Sequence, residues 1–168
     1  DGGWHGAYGV QKSGQSLTPF LLLALLNARP DSARTDRAVR FLLDRLDGQG
    51  CLGRCDPSLE DYPNYATALA ARALRKAGRD PGPLLDCLRR QQFAEANGWK
   101  PDDPAYGGWG MGGPLRRPPH AGRLDLSMTR YVLQAFPADD PVCRKAEIFL
   151  RRCQNPDGGF LFSPVILD

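Results

Sequence analysis

The chain has 168 residues, 42% of them hydrophobic and 24% charged, with a formal net charge of +3. That balance fits one globular domain rather than a disordered segment, and because Arg and Asp alternate along the chain instead of clustering, nothing marks a nucleic-acid surface. The longest apolar run, Phe20 to Leu26, is far below the roughly 20 residues of a membrane helix, so no membrane span is expected.

Asp1 is not a translation start, so sequence ahead of it is expected to have been removed; no signal peptide is visible. The compartment stays open, with the cytoplasm as the default expectation. Five cysteines match neither a zinc-knuckle spacing nor a haem attachment site. Cys51 and Cys55 in GCLGRC are the one close pair. They read as free thiols, with a disulfide or half of a metal site as the alternative. Cys143 and Cys153 fall in one expected helix about 15 Å apart along its axis, too far to bridge.

In chain order, residues 1–4 (DGGW) read as the end of a preceding repeat, because the chain closes on the same phrase in NPDGGF. A first helix is expected from SLTPFLLLALL, starting at Ser16, then a polar turn, then a second helix in DRAVRFLLDRL and a glycine-rich DGQGCLG. The pattern recurs with NYATALAARAL from Asn64, PLLDCLRRQQF and GGWGMGG, and again with LSMTRYVLQAF from Leu126, VCRKAEIFLRRCQ and NPDGGF. In each first helix a Thr is followed six and seven residues later by Ala and a large apolar residue: Thr18 with Ala24 and Leu25, Thr67 with Ala73 and Leu74, Thr129 with Ala135 and Phe136.

Three helical hairpins are therefore predicted, spanning about 14–53, 62–110 and 124–162. The first helix of each is apolar or Ala-rich over most of its circumference and should be buried on nearly all sides. The second is amphipathic and should form an outer layer.

FLRRCQNPDGGF, and more loosely CLRRQQF with the later YGGW, resemble the Gln-to-aromatic repeat of squalene-hopene cyclases and their relatives in the α/α-toroid superfamily, which also holds protein prenyltransferase β subunits and complement thioester domains. The resemblance implies an all-α arc of an α/α toroid. In that family the Gln ties an outer helix to the neighbouring unit and the aromatic stacks over it. Gln154 with Phe160 and Gln92 with Trp109 match this pattern, and Trp4 would be the aromatic of the earlier unit. Leu46 stands where the first unit's Gln is expected and Cys51 where its aromatic is expected.

Catalytic groups of toroid enzymes cluster at the starts of inner helices, here GQSLT, PNYAT and DLSMT. Set against the DxDDT signature of class II terpene cyclases, Asp125 and Thr129 match the outer positions, but Ser127 and Met128 replace the paired carboxylates. A hydroxyl and a thioether cannot protonate an alkene. Asp125 is thus the one catalytic candidate, with a helix N-cap as the expected role. Against the zinc site of protein prenyltransferases Asp125 matches again, and Ser127 replaces the thiolate ligand. His5 and His120 are the available imidazoles, and no metal or other cofactor is expected. The GCGEQ thioester motif is absent.

Residues 100–123 form the longest irregular stretch, where Arg116, Arg117, His120 and Arg123 offer a basic mouth for a diphosphate or other anion. Trp99, Tyr106 and Trp109 are candidates to line an apolar cavity. The expected function is a terpene cyclase-like or prenyltransferase-like repeat protein binding an isoprenoid or other apolar ligand, with any catalytic acid outside this chain. The alternatives are a non-catalytic interaction or assembly module and a zinc-dependent prenyltransferase-like enzyme. An open arc of hairpins leaves apolar edges, so closure by the rest of the polypeptide or by another subunit is expected.

Overall fold

The computed structural model describes residues 1–28, 32–53 and 62–164. Among them are six α-helices, two short 3-10 helices at Gly9–Ser13 and Glu95–Asn97, and no strand. The α-helices are α1 (Leu17–Ala28), α2 (Ser32–Leu43), α3 (Pro63–Lys76), α4 (Gly82–Gln91), α5 (Leu126–Leu133) and α6 (Pro141–Cys153). The protein is all-helical, as its 3.6-residue periodicity predicts.

Helix boundaries follow from local chemistry. Prolines sit in the first turns of α3, α4 and α6, where a missing N–H breaks no internal bond. Asp125 caps α5 by accepting from Met128 N at 2.7 Å, and Asp140 caps α6 by accepting from Val142 N at 3.1 Å. The N-cap role expected of Asp125 is the one it fills.

The helices pack pairwise, α1 on α2, α3 on α4 and α5 on α6, while α3 also packs between α1 and α5. One core cluster runs through all three pairs, from Leu22, Phe41 and Leu42 through Leu74 and Leu88 to Val132 and Ala146. Near-complete burial of a first helix holds for α3, whose residues Ala66 to Ala71 are all buried. It does not hold for α1. There only Thr18, Pro19 and Leu22 are buried, and Phe20, Ala24 and Ala28 are exposed along one stripe. The reason is position: α3 packs between α1 and α5, whereas α1 packs on α3 alone among these three.

The joints between helix pairs repeat in atomic detail. Thr18, Thr67 and Thr129, each fully buried near the start of its helix, accept a hydrogen bond through Oγ1 from the backbone N–H of Trp4 (2.9 Å), Leu52 (3.0 Å) and Trp109 (3.1 Å) respectively. Two residues before each of these donors stands a positive-φ glycine, Gly2, Gly50 or Gly107. A Cβ there would lie 2.6, 2.5 or 2.0 Å from the carbonyl oxygen of Arg37, Pro83 or Lys145. Only glycine gives both the backbone conformation and that approach.

The turns leading to Leu52 and Trp109 share one hydrogen-bond pattern, which recurs before Phe160. Asp47 N donates to Cys51 O and Gly50 N to Asp47 O; Phe93 N donates to Gly108 O and Gly107 N to Phe93 O; Asn155 N donates to Gly159 O and Gly158 N to Asn155 O. The middle turn differs only by the insertion between Phe93 and Gly107. This register corrects one assignment: Leu52, not Cys51, holds the position of Trp4, Trp109 and Phe160, and Cys51 holds that of Gly3, Gly108 and Gly159.

Cys51 is not a free thiol. It forms a disulfide with Cys87 of α4, Cα to Cα 5.5 Å, across a sequence separation of 36. Cys55 lies outside the described residues. Cys143 and Cys153 are free, and burial pushes the Cys153 thiol up to about 11.

Candidate functional site

The starts of α3 and α5 lie next to the irregular segment, and two adjoining cavities open there. One, about 190 Å³, is walled by Phe93, Gly110–Gly112, Ala121, Arg116 and Arg123. The other, about 370 Å³, is walled by Tyr65, Asp125, Ser127, Met128 and Phe162. Tyr62, Met111 and Arg123 belong to both walls.

The segment forming this wall is tied down at several points. Asn64 N donates to Met111 O and its Nδ2 to Gly110 O, both from the first turn of α3. Gln91 Nε2 donates to Gly113 O. Trp99 Nε1 donates to Arg116 O, which fixes the backbone that carries the Arg116 guanidinium. An isolated bridge joins Gly110 to Leu124. The stretch is packed in part: Ala105 to Gly110 are buried, whereas Pro114 to Arg117 are exposed.

The candidate residues divide in two. Arg116 and Arg123 reach the cavity wall, exposed to solvent at its mouth. Arg117 and His120 are exposed in a turn closed by His120 N donating to Arg117 O, away from both walls. The three aromatics proposed to line a cavity are interior packing. Trp109 is fully buried with Nε1 donating to Leu88 O. Trp99 stacks at 5.1 Å on Phe93. Tyr106 donates through its hydroxyl to Glu95 Oε1 at 2.6 Å. Because all three bury their polar atoms in internal bonds, they offer nothing to a ligand.

Asp125 is 5% exposed and its Oδ1 is engaged by Met128 N, so this carboxylate serves the helix end. Gln92 donates through Nε2 to Gly107 O and to Val142 O, both at 3.0 Å, bracing its own turn and the start of α6. Trp4 is partly buried against the core. Gln154 and Phe160, joined by a bridge, are exposed at the far edge.

Sequence reasoning missed the tyrosines. The rings of Tyr65 in α3 and Tyr131 in α5 meet at a tilt of 57°, centroids 4.5 Å apart. Burial, then the hydrogen bond with Tyr131, pushes the Tyr65 phenol up to about 12. The same hydrogen bond lowers the Tyr131 phenol, over which Arg130 sits at 5.1 Å. Their signal was available: each stands two residues from one of the recurring Thr residues, Tyr65 before Thr67 and Tyr131 after Thr129. What the spacing hides is that one precedes and the other follows, so that adjacent helices bring them together.

Chemically the cavity pair combines an apolar, Met- and Tyr-rich wall with guanidinium groups at one end. Among the described residues no group of three or more His, Cys, Asp or Glu side chains is placed to hold a metal ion, and no helix is long and apolar enough to cross a membrane. Compared with known proteins, the chain matches no family model, no curated protein and no solved structure.

Proposed function

We propose that this chain is an arc of an α/α toroid of the squalene-hopene cyclase and prenyltransferase kind, binding an isoprenoid or similar apolar ligand that ends in an anionic group. The observation that carries this reading is the shared wall: Arg123, Tyr62 and Met111 stand in both cavities, so that an apolar tail beside Met111 and Met128 would place its charged end near Arg116 and Arg123. Guanidinium groups recognise phosphate oxygens in a bidentate manner. The helix pairs joined α1 to α3 to α5 are what an inner and outer ring require.

Ligand binding is the role; catalysis is not carried by these residues. Ser127 and Met128 have no strong acid to give, and Asp125 is held as a cap. A catalytic acid would come from outside this chain. With squalene or a prenyl diphosphate, the 168-residue chain should return its substrate unchanged by mass spectrometry.

Titration with a fluorescent farnesyl diphosphate analogue tests binding. Arg123→Ala should weaken the diphosphate about tenfold, as expected for a charge-assisted contact, and leave the corresponding prenyl alcohol nearly unaffected. If the analogue fails to bind, or if Arg123→Ala weakens alcohol and diphosphate equally, the reading is wrong.

A further inference from the structure

A further copy of the joint's turn lies after α6. Asn155 to Phe160 make the same turn as the earlier ones, and Gly158 has φ +89° like Gly107. Yet among the described residues no following helix packs on its Gly158. Gly2, Gly50 and Gly107 each abut a carbonyl of the following outer helix, whereas no described atom lies within 4 Å of a Cβ built on Gly158. Phe160, Leu161 and Phe162 are 55%, 47% and 62% exposed. Beside them runs a groove of about 760 Å³ along α5 and α6, with Leu126, Leu133 and Leu150 in its wall. An exposed apolar edge of this kind marks a surface built for a partner.

What fits is legible in the joints already made. The partner must offer an inner helix with Thr near its start and an outer helix with a side chain that packs on the second glycine. The first helix pair of this chain is such a unit, and the segment it takes is DGGW. Trp4 N donates to Thr18, Gly2 abuts Arg37 O, Gly3 lies against the Phe41 ring, and Asp1 pairs with Arg45 at 3.3 Å. Asp157–Phe160 repeats that segment residue for residue except Phe for Trp, and so keeps every group those contacts use. α1 also has an open stripe at Phe20, Ala24 and Ala28 to lay into the groove, as α3 lies on α1 and α5 on α3.

We propose that Asp157–Phe160 and the α5–α6 groove dock the first helix pair of a second copy of this chain, replacing that copy's own Asp1–Trp4 segment. The exchange is like for like within the joint, and the net gain is burial of the groove against the α1 stripe. The contact is head to tail, so it builds a ring where the rotation closes and a filament where it does not. Phe162 reaches the wall of the larger cavity, but Asp157–Phe160 and the groove share no lining residue with it, so the proposal stands whether or not the cavity binds an isoprenoid.

The Cys51–Cys87 disulfide supplies the test. Residues 159 and 41 are the counterparts of 51 and 87 in the joint between copies. Mixing a Gly159→Cys chain with a Phe41→Cys chain under oxidising conditions should give a reducible heterodimer whose digest contains the 41–159 cross-linked peptide. Adding Phe160→Asp to the first chain, a change at an exposed side chain, should cut that cross-link about tenfold while circular dichroism stays unchanged. Absence of the 41–159 peptide, or its persistence with Phe160→Asp, overturns the proposal. Should Phe41→Cys fail to fold, sedimentation decides: the unsubstituted chain should associate with rising concentration and its Phe160→Asp variant should not, whereas a monomer throughout, or equal association of both, overturns it.

Discussion

The joint between the first and second helix pairs is covalent, and those on either side of it are not. In the flanking joints a glycine faces a phenylalanine: a Cβ on Gly3 would lie 2.4 Å from the Phe41 ring, and one on Gly108 would lie 3.0 Å from the Phe149 ring. In the middle joint both partners change together, to Cys51 and Cys87, and the sulfurs bond. Neither Gly3 nor Gly108 has positive φ, so these positions need glycine for space and not for conformation. That is why cysteine can stand in one of them once the opposing ring is gone. Two solutions to one packing problem coexist in one chain, the first by ring burial and the second by a cross-link.

The glycine common to all joints should be the most sensitive point. Gly107→Val adds a branched side chain at φ +89°, with Cβ 2.0 Å from Lys145 O, and is expected to cost about 4 kcal/mol or abolish cooperative unfolding. Gly158→Ala has the same φ but meets no described atom, so strain alone, about 1–2 kcal/mol, is expected. Urea melts of the two variants measure the joint's close approach as their difference.

The covalent solution ranks next. Reduction of Cys51–Cys87 should lower stability by about 3.8 kcal/mol, the scale for a loop of this length. Cys51→Gly alone should lose a similar amount. Cys51→Gly with Cys87→Phe recreates the flanking pair and should recover at least half of it, a coupling readable in a double-mutant cycle. A double variant no more stable than the worse single one would show that the two kinds of joint are not interchangeable.

The hydroxyl shared by all joints matters less. Thr129→Val keeps the shape but leaves the buried Trp109 N–H without its acceptor, an expected loss of about 1–3 kcal/mol. Thr18→Val should cost less because the Trp4 N–H is only part-buried. Equal denaturant midpoints for the two would contradict this ordering.

Smallest is a pH effect peculiar to the insertion in the third joint. Glu95 accepts from Lys145 Nζ and from Tyr106 OH, each at 2.6 Å, and the Lys145 contact first, then that of Tyr106, pulls its carboxyl down to about 2 from 4.5. A carboxyl lowered on folding adds stability above its unfolded pKa and loses it as pH falls from 4.5 toward 2. The pair is solvent-exposed, so the loss should stay below about 1 kcal/mol. Glu95→Gln should lower the thermal midpoint slightly at neutral pH, flatten the profile in that window, and converge with the unsubstituted chain near pH 2.

Much of the fold was legible before any coordinates. The helix pairs follow from apolar spacing, and the three threonines mark equivalent places near the helix starts because their offset to Ala recurs. The Gln92 brace, too, was visible in CLRRQQF. Of the candidate site, Arg116 and Arg123 were identified by type and position, and both reach the cavity wall. Arg117 and His120 carry the same chemistry in the same stretch but turn away from it. Direction in an irregular segment depends on anchors such as Trp99 Nε1 to Arg116 O and Gln91 to Gly113 O, which no local period encodes.

By itself the sequence determined the all-helical class, the order of the six helices and the recurrence of the DGG-aromatic turn, since each depends on residues within one or two turns of one another. Only the tertiary structure decided that Cys51 finds Cys87 rather than its neighbour, that Leu52 takes the aromatic's position, that Trp99, Tyr106 and Trp109 are core, and that α1 and the last turn keep an open side. These depend on which residues face one another across a joint, a relation set by packing between segments tens of residues apart rather than by periodicity within them.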